Sequence, residues 1–239
     1  DFAPDTIVAP PKVLRLLAER GQLTARRIFS GAEVLDPLDR AVIEGATGQT
    51  VREIYMATEG LFGVSCKHGT LHLAEDVVHF EWRRDAAWPG LCEPVVTDFT
   101  RRAQAMIRYR MNDLIELADE PCRCGSAFQP VRRIAGRADD LLLIESPDGQ
   151  VRTVTPDVVR NAIVDADPAV TDFRVAQTGP RLLRVDLEDS LSGAAEERVR
   201  TQLLARLEEM GLAPEITIRR GISVPFDRKL RRVLRQFGG

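Results

Sequence analysis

Gly136-Arg137-Ala138-Asp139-Asp140 separates a strand-like segment from the apolar run Leu141 to Ile144. Two adjacent carboxylates are costly to bury, so this stretch needs a role. The residue types alone leave several roles open: a turn or helix cap, a metal site, ribose recognition, or a pivot whose backbone changes conformation. The apolar patterns on its two sides differ, which favours a domain boundary at or beside the Asp pair.

The chain before this stretch has the pattern of an α/β layer followed by a mostly antiparallel sheet. Apolar spacing predicts helices at 10–20 and 37–44 and strands at 26–29 and 51–56. Between 62 and 117, short alternating runs separated by Gly and Pro predict antiparallel strands or a distorted barrel. Such alternation of strand, loop and helix places ligands at strand ends.

The chain after Asp140 has the pattern of a small α+β domain. We predict helices at 155–165 and 193–210, and extended segments at 141–144, 173–177, 182–187 and 215–219. The sequence therefore predicts two domains, 1–138 and 139–239.

Composition describes an ordinary globular protein. Of 239 residues, 44% are hydrophobic and 29% charged, and 33 basic residues nearly balance 36 acidic ones for a net charge of −3. This balance argues against a general nucleic-acid surface. No apolar run approaches the roughly 20 residues that cross a bilayer, and the first residues do not resemble a signal peptide. We therefore expect a cytoplasmic protein that binds neither nucleic acid nor membrane.

Four cysteines are too few for a disulfide framework. Cys122 and Cys124 flank one residue, which suits convergence on one metal better than a mutual disulfide. Cys66 and His72 lie in another turn-rich segment, and together these residues offer three sulfurs and one imidazole, a ligand set for structural zinc. His68, close to Cys66, is an alternative ligand, and free buried thiols are the alternative to a metal site.

Three further stretches accompany the opening one: Tyr55 to Gly60 (YMATEG), Tyr109 to Asp113 (YRMND) and Val224 to Arg232 (VPFDRKLRR). In this order the four resemble the later core motifs of the adenylate-forming superfamily, most closely its phenylacetate-CoA ligase and CapK-like branch. The resemblance covers nearly the whole chain. It implies part of an adenylate-forming large domain, with an α/β layer and a small barrel-like sheet, followed by a small α+β C-terminal domain.

The resemblance also implies roles around ATP. Tyr55 matches the aromatic residue that covers adenine, Thr58 the hydroxyl that contacts phosphate, and Glu59 the carboxylate that helps to hold Mg²⁺. Asp113 matches the carboxylate that accepts both ribose hydroxyls. The family often has Thr-Gly before that Asp, where this chain has Met111-Asn112.

Other residues match the loop beside adenine and the mobile parts of the family. Gly31-Ala32-Glu33 resembles the adenine-side loop, whose small residues let the backbone approach the base. Arg137 matches the arginine near ribose or phosphate, and Asp139 the residue about which the small domain rotates. Lys229 matches the lysine that enters the site during adenylation, although a solvated basic tail is an alternative for it.

The metal ligands fit the same branch, where a Leu-His segment and a Cys-x-Cys pair occur together. Leu71-His72 matches that segment, so the resemblance favours His72 as the ligand. The implied cofactors are then ATP or AMP, Mg²⁺ and structural Zn²⁺, with CoA or phosphopantetheine as acceptor.

One family element is missing before Ser30: a phosphate-cradling loop rich in Ser, Thr and Gly with a Lys. Glu44 to Thr50 (EGATGQT) has no Lys and is predicted to be a plain connection. We therefore expect that an N-terminal half with this loop and much of the acyl pocket is absent, in a fragment, a natural truncation or a split protein. Phe62 and Gly63 are the candidates here that border an acyl group.

Two hypotheses follow. In the first, the chain supplies half of an ATP-dependent ligase that forms acyl-AMP from a carboxylic acid, aryl acids included, and then a thioester with CoA or a carrier protein. Its partner would be the missing N-terminal half or a second copy of the chain. In the second, it is a non-catalytic, zinc-stabilised nucleotide-binding or regulatory module.

Overall fold

The computed structural model describes residues 3–222 and 231–237. Its contacts divide the chain into two compact units, Asp1–Asp85 with Gly90–Ile134 and Ala86–Pro89 with Ala135–Gly239. The boundary between them lies at Ile134 and Ala135. The domain bounds at 138 and 139 stay a prediction from the sequence.

The described residues of the first unit form two helices and two sheets. Its elements are β1 (Thr6–Ala9), α1 (Pro11–Glu19), β2 (Arg27–Ser30), α2 (Pro37–Thr47), β3 (Arg52–Ala57), β4 (Gly60–Ser65), β5 (Leu71–Leu73), β6 (Val78–Arg83), β7 (Glu93–Asp98), β8 (Met106–Arg110), β9 (Asp113–Leu117) and β10 (Pro130–Arg137), which runs across the boundary. The larger sheet has the strand order β1-β2-β3-β4-β5-β10-β9, and β6-β7-β8 form the other. Strands β1 to β3 are parallel, whereas β4 is antiparallel to β3. The pairing of neighbouring strands in the sheet therefore changes from parallel to antiparallel at β3.

Helices α1 and α2 begin at prolines, whose fixed φ suits the first helical position. Asp36 caps α2 by accepting the Leu38 backbone amide at 2.9 Å, and Gly48 ends it in the left-handed conformation at φ 66°. The apolar faces of these helices share one buried cluster with the parallel strands: Leu14, Ala18, Leu23, Ile28, Leu35, Ile43 and Val51. This packing fixes the end of β2, where the predicted adenine-side loop begins.

A second buried cluster fills the antiparallel part of the unit. Its members are Tyr55, Phe62, Leu71, Leu73, Val78, Cys92, Val96, Met111, Ile115 and Val131. The rings of Tyr55 and Phe62, on β3 and β4, are tilted at 49° with centroids 5.4 Å apart. The cluster therefore reaches from the antiparallel strands to the strand at which the sheet changes direction.

The longer segment of the second unit begins with the end of β10 and a 3-10 turn, Ala138–Asp140. Its further elements are β11 (Leu142–Glu145), β12 (Val151–Val154), α3 (Pro156–Ala166), β13 (Phe173–Gly179), β14 (Leu182–Leu187), α4 (Gly193–Glu208), β15 (Glu215–Arg220) and β16 (Val233–Arg235). Strands β11 and β12 form a hairpin, and the remaining four form a sheet in the order β15-β14-β13-β16. Helices α3 and α4 lie against each other and bury Val159, Ile163, Val199 and Leu203. This is an α+β unit, as the apolar pattern predicts.

Within residues 3–222 and 231–237, the structure contains no helix that is both long and apolar enough to span a membrane.

Candidate nucleotide and metal sites

The loop after β2 contains the predicted residues Gly31, Ala32 and Glu33. Gly31 is buried against β3, since a Cβ atom there would lie 3.7 Å from Met56 Sδ and 3.8 Å from Ile54 Cβ. Ala32 has φ 67°, a left-handed conformation that costs a residue with a side chain of order 1–3 kcal/mol. Strain of this kind concentrates at functional sites, so the loop is a candidate binding element.

Tyr55 and Asp113 are joined directly. The Tyr55 hydroxyl donates a hydrogen bond to Asp113 Oδ2 at 2.7 Å. The ring of Tyr55 belongs to the buried cluster and the residue is only 6% exposed, whereas Asp113 is half-buried at the start of β9. In this structure Tyr55 therefore orients the carboxylate predicted to hold ribose, and its contact with adenine stays a prediction.

Thr58 and Glu59 form the two-residue turn between β3 and β4. Thr58 is exposed and Glu59 is half-buried. The Tyr109 hydroxyl, on β8, donates to Glu59 Oε1 at 3.1 Å. The turn follows β3 directly, so it lies at the strand end beside which the Gly31 loop packs and where Tyr55 holds Asp113. Gly31, the Tyr55–Asp113 pair and the Thr58–Glu59 turn thus lie on or beside the carboxyl half of β3, and the carboxyl ends of strands are where α/β sheets bind ligands.

Arg137 and Asp139 belong to the second unit, at the end of β10 and in the 3-10 turn, and both are exposed. Gly136 before them has φ 132°, a conformation that side chains disfavour, although among the described atoms an added Cβ would meet only Pro156 Cγ, at 3.7 Å. Asp140 forms an ion pair with Arg231, in which Oδ1 and Nη1 are 3.1 Å apart. Lys229 lies outside the described residues.

The four predicted metal ligands form one cluster in the first unit. The ligand atoms of Cys66, His72, Cys122 and Cys124 all lie within 4.8 Å of one another. Cys66 Sγ and Cys122 Sγ are 3.9 Å apart, and Cys124 Sγ lies 3.4 Å from His72 Nε2. Tetrahedral zinc, with bonds of about 2.3 Å to sulfur and 2.0–2.1 Å to nitrogen, gives ligand separations of about 3.8 and 3.6 Å. The donor set and its spacing therefore fit a closed tetrahedral site.

Neighbouring groups orient the imidazole toward this cluster. His72 Nδ1 lies 3.1 Å from the Phe128 carbonyl oxygen, which leaves Nε2 directed at the sulfurs. A second partner of this kind is typical of metal-bound histidine. Burial lowers the pKa of His72, but the Phe128 carbonyl and the Cys122 side chain outweigh it and raise the pKa above its ordinary value. A proton and a metal ion would therefore compete for this imidazole.

The surroundings lower the pKa of Cys66 and Cys122, whereas the neighbouring Cys122 and Cys66 side chains raise the pKa of Cys124. Hydrogen bonds from the Thr70 side chain and the Cys124 backbone amide lower the pKa of Cys122 to about 6. At neutral pH Cys122 is therefore a thiolate, the form that binds metals. His68 donates its backbone amide to Cys66 Sγ at 3.4 Å, while the convergent ligand set among the described residues contains His72. The geometry thus favours His72 over His68.

Sequence patterns did not predict the residues that support the β3–β4 turn. Arg101 donates to the Thr58 carbonyl at 2.7 Å, and Asp98 lies next to Gly60. Of these residues, Tyr109 was marked in the sequence, because it is the first residue of the YRMND stretch that resembles a family motif. The others lie in a segment without a motif.

Comparison with known proteins supports the resemblance. No family model matches the chain. A phenylacetate-coenzyme A ligase of Thermus thermophilus is 31% identical over 167 residues, covering 60% of this chain and 36% of that protein. Protein CapK of Staphylococcus aureus is 29% identical over 150 residues, covering 59% of this chain and 33% of CapK. The chain thus spans about a third of the length of the curated relatives it matches.

Solved structures show the same fold over nearly the whole chain. A 2-hydroxyisobutyryl-CoA ligase, in the postadenylation state with R3-HIB-AMP, has a TM-score of 0.75 at 22% identity, covering 97% of this chain and 54% of that one. An anthranilate CoA ligase with anthranoyl-AMP has a TM-score of 0.60 at 16% identity, covering 92% and 46%. The predicted fold class is confirmed. The chain has the fold of adenylate-forming ligases, and its sequence resembles part of the phenylacetate-CoA ligase and CapK-like branch.

Proposed function

We propose that this chain takes part in the ATP-dependent activation of a carboxylic acid, in which acyl-AMP forms first and a thioester with CoA or a carrier-protein phosphopantetheine follows. One observation carries the proposal: the Gly31 loop, the Thr58–Glu59 turn and the Tyr55–Asp113 pair converge at the end of β3. These segments are far apart in the sequence. Their convergence is what a site for one nucleotide requires.

Each residue then has a role that its geometry supports. Asp113, oriented by Tyr55, accepts the ribose hydroxyls through its carboxylate oxygens. The strained backbone at Ala32 lines the base beside Gly31 and Glu33. Thr58 directs its hydroxyl at phosphate, and Glu59 offers a carboxylate oxygen to Mg²⁺, which when bound neutralises phosphate charge.

The second unit supplies the residues that respond to progress of the reaction. We assign Arg137 to ribose or phosphate and Asp139 to the pivot of the 135–239 segment, because Gly136 gives the backbone there a conformation that few residues adopt. Lys229 is assigned to the charge that develops during adenylation. The acid itself is a small carboxylic acid, with aryl acids as candidates.

We also propose that Cys66, His72, Cys122 and Cys124 hold a structural zinc ion. The site joins the β4–β5 hairpin to the 122–124 turn, and its four ligands leave no open position for catalysis. Metal analysis of undialysed protein should give about one equivalent of zinc, and less than about half an equivalent would contradict the site.

AMP affinity, measured by calorimetry, tests the nucleotide site. Wild-type protein should bind AMP, and Asp113→Ala should weaken binding about 10- to 100-fold, because two charge-assisted hydrogen bonds to ribose are lost. Asp119→Ala is the matched control, since Asp119 is 90% exposed and pairs only loosely with Arg132 at 3.5 Å. Equal AMP affinity in both variants would refute the assignment.

ATP–pyrophosphate exchange across a panel of acids tests the reaction. We expect no exchange with the chain alone and acid-dependent exchange when a complete N-terminal half is supplied. Robust exchange by the chain alone would contradict the half-ligase hypothesis. AMP binding without exchange in either case would favour a zinc-stabilised nucleotide-binding module instead.

A further inference from the structure

The turn at Thr58–Glu59 is not stabilised by its own residue types. Two-residue hairpin turns favour residues with positive φ, usually Gly, Asn or Asp, because such turns match the twist of the strands. Among the described residues with side chains, only Ala32 and Arg108 have positive φ. Thr58 and Glu59 therefore form a turn that tends to splay β3 and β4, and its conformation depends on contacts from outside the hairpin.

Arg101 supplies one such contact. Its guanidinium Nη2 donates to the Thr58 backbone carbonyl at 2.7 Å, across 43 positions of sequence. Its Nε lies 3.9 Å from Asp98 Oδ2. Arg101 thus bridges a carboxylate at the end of β7 and the carbonyl of the turn.

Asp98 is itself held firmly. Its Oδ1 accepts the Thr100 backbone amide and the Thr100 hydroxyl, both at 2.7 Å, which closes a tight Asp98–Thr100 turn. Burial raises the pKa of Asp98, but these hydrogen bonds and Arg101 outweigh it, so the pKa lies below its ordinary value. Asp98 is therefore an anion at neutral pH and directs the guanidinium toward Thr58.

The two turns are also in close steric contact. A Cβ atom at Gly60 would lie 3.2 Å from Asp98 Oδ2 and 3.5 Å from Phe62 Cε1. A side chain at position 60 would push the β3–β4 turn away from the β7 end. On the other side, Tyr109 holds the Glu59 carboxylate. Both residues of the turn are thus held by β8 and the connection that precedes it: Thr58 by Arg101 and Glu59 by Tyr109.

We infer that Arg101, directed by Asp98, is a positioning residue that holds the Thr58–Glu59 turn in the conformation that receives the phosphates and Mg²⁺ of ATP. The inference rests on the proposed function for its ligand, but the restraint on the turn is a property of the protein alone. It separates the recognition of adenosine, at Asp113 and the Gly31 loop, from the recognition of the phosphates and Mg²⁺. Loss of Arg101 should therefore weaken MgATP binding more than AMP binding, because AMP carries a single phosphate.

Two measurements on Arg101→Ala, Arg101→Lys and the control Arg102→Ala test this inference. Arg102 is the exposed neighbour of Arg101, and its replacement by Ala removes the same charge. Amide hydrogen exchange in the segment 57–61 should be accelerated at least about tenfold in Arg101→Ala, less in Arg101→Lys, and unchanged in Arg102→Ala. Calorimetry should show about tenfold weaker MgATP binding in Arg101→Ala and a smaller loss of AMP affinity.

The possible outcomes distinguish failure of the inference about Arg101 from failure of the proposed function. Exchange at 57–61 that is equal in Arg101→Ala and wild type would overturn the inference, whatever the nucleotide data. Accelerated exchange with MgATP and AMP affinities lowered equally would also overturn it, because the effect would then be general. Accelerated exchange in a protein whose wild type binds neither nucleotide would refute the proposed function and support the restraint on the turn.

Discussion

The hydrogen bond from Tyr55 to Asp113 should be measurable as a coupling energy between the two side chains. At 2.7 Å to a carboxylate, such a bond contributes about 1.5–3 kcal/mol net to stability. Asp113 is half-buried, so water can replace the lost donor, and the ring of Tyr55 stays packed when only its hydroxyl is removed. We therefore expect the lower end, about 1.5 kcal/mol.

The assay is a double-mutant cycle in urea with wild type, Tyr55→Phe, Asp113→Ala and the double variant. Tyr109→Phe combined with Glu59→Ala is the matched control, because that bond is longer, 3.1 Å, and Tyr109 is 43% exposed. Its coupling should stay below about 0.5 kcal/mol. A Tyr55–Asp113 coupling within the additivity error of about 0.3–0.5 kcal/mol would refute the reasoning. If Tyr55 orients Asp113 for ribose, Tyr55→Phe should also weaken AMP binding.

Three further outcomes follow from the geometry. Gly63→Ala places a Cβ 2.5 Å from a backbone oxygen of β5, so it should lower the unfolding free energy by about 1–3 kcal/mol. Gly45→Ala, on α2 with open space around it, is the control and should not lower the unfolding free energy. Equal denaturation midpoints for the two variants would contradict this prediction. A chelator should lower the melting temperature of wild type but leave that of Cys124→Ser, which already lacks one ligand, and an equal shift in both would count against a four-ligand site. The pKa of Asp167 is held below its ordinary value by a backbone amide two residues on and by Arg198, so its contribution to stability is complete above about pH 4 and lost as the pH falls through the lower folded pKa. Urea titrations should show a shallower loss below pH 4 in Asp167→Asn, and a slope identical to wild type would exclude this contribution.

The helices were predictable from sequence because their signals are local. Prolines at the first helical position, Asp36 as a cap and Gly48 as a stop coincide with apolar spacing. Strand β4 was less apparent, since Gly60 and Gly63 resemble turn residues. The structure shows that both instead permit close approach, to Asp98 and to the β5 backbone.

Some site residues were likewise predictable from the sequence and others were not. Cysteine and histidine are rare, so four of them at short spacings predicted a cluster that the structure brings together. Arginine is common, and nothing in its sequence context marks Arg101 as a support for a turn 43 residues away. The burial of Tyr55 was also beyond the sequence pattern, because a bulge at Tyr55 and Met56 shifts the register of β3 against β4, and periodicity does not reveal bulges.

The metal cluster has a consequence for biosynthesis. Cys66 and Cys122 are 56 residues apart, so at 5–20 residues per second the ribosome takes roughly 3 to 11 seconds to deliver the second half of the ligand set. During that interval the nascent chain carries a thiol and an imidazole without their partners. The proposed zinc site would be complete only after Cys124 has emerged. Under that proposal, metal acquisition would be a late event in the synthesis of the first unit.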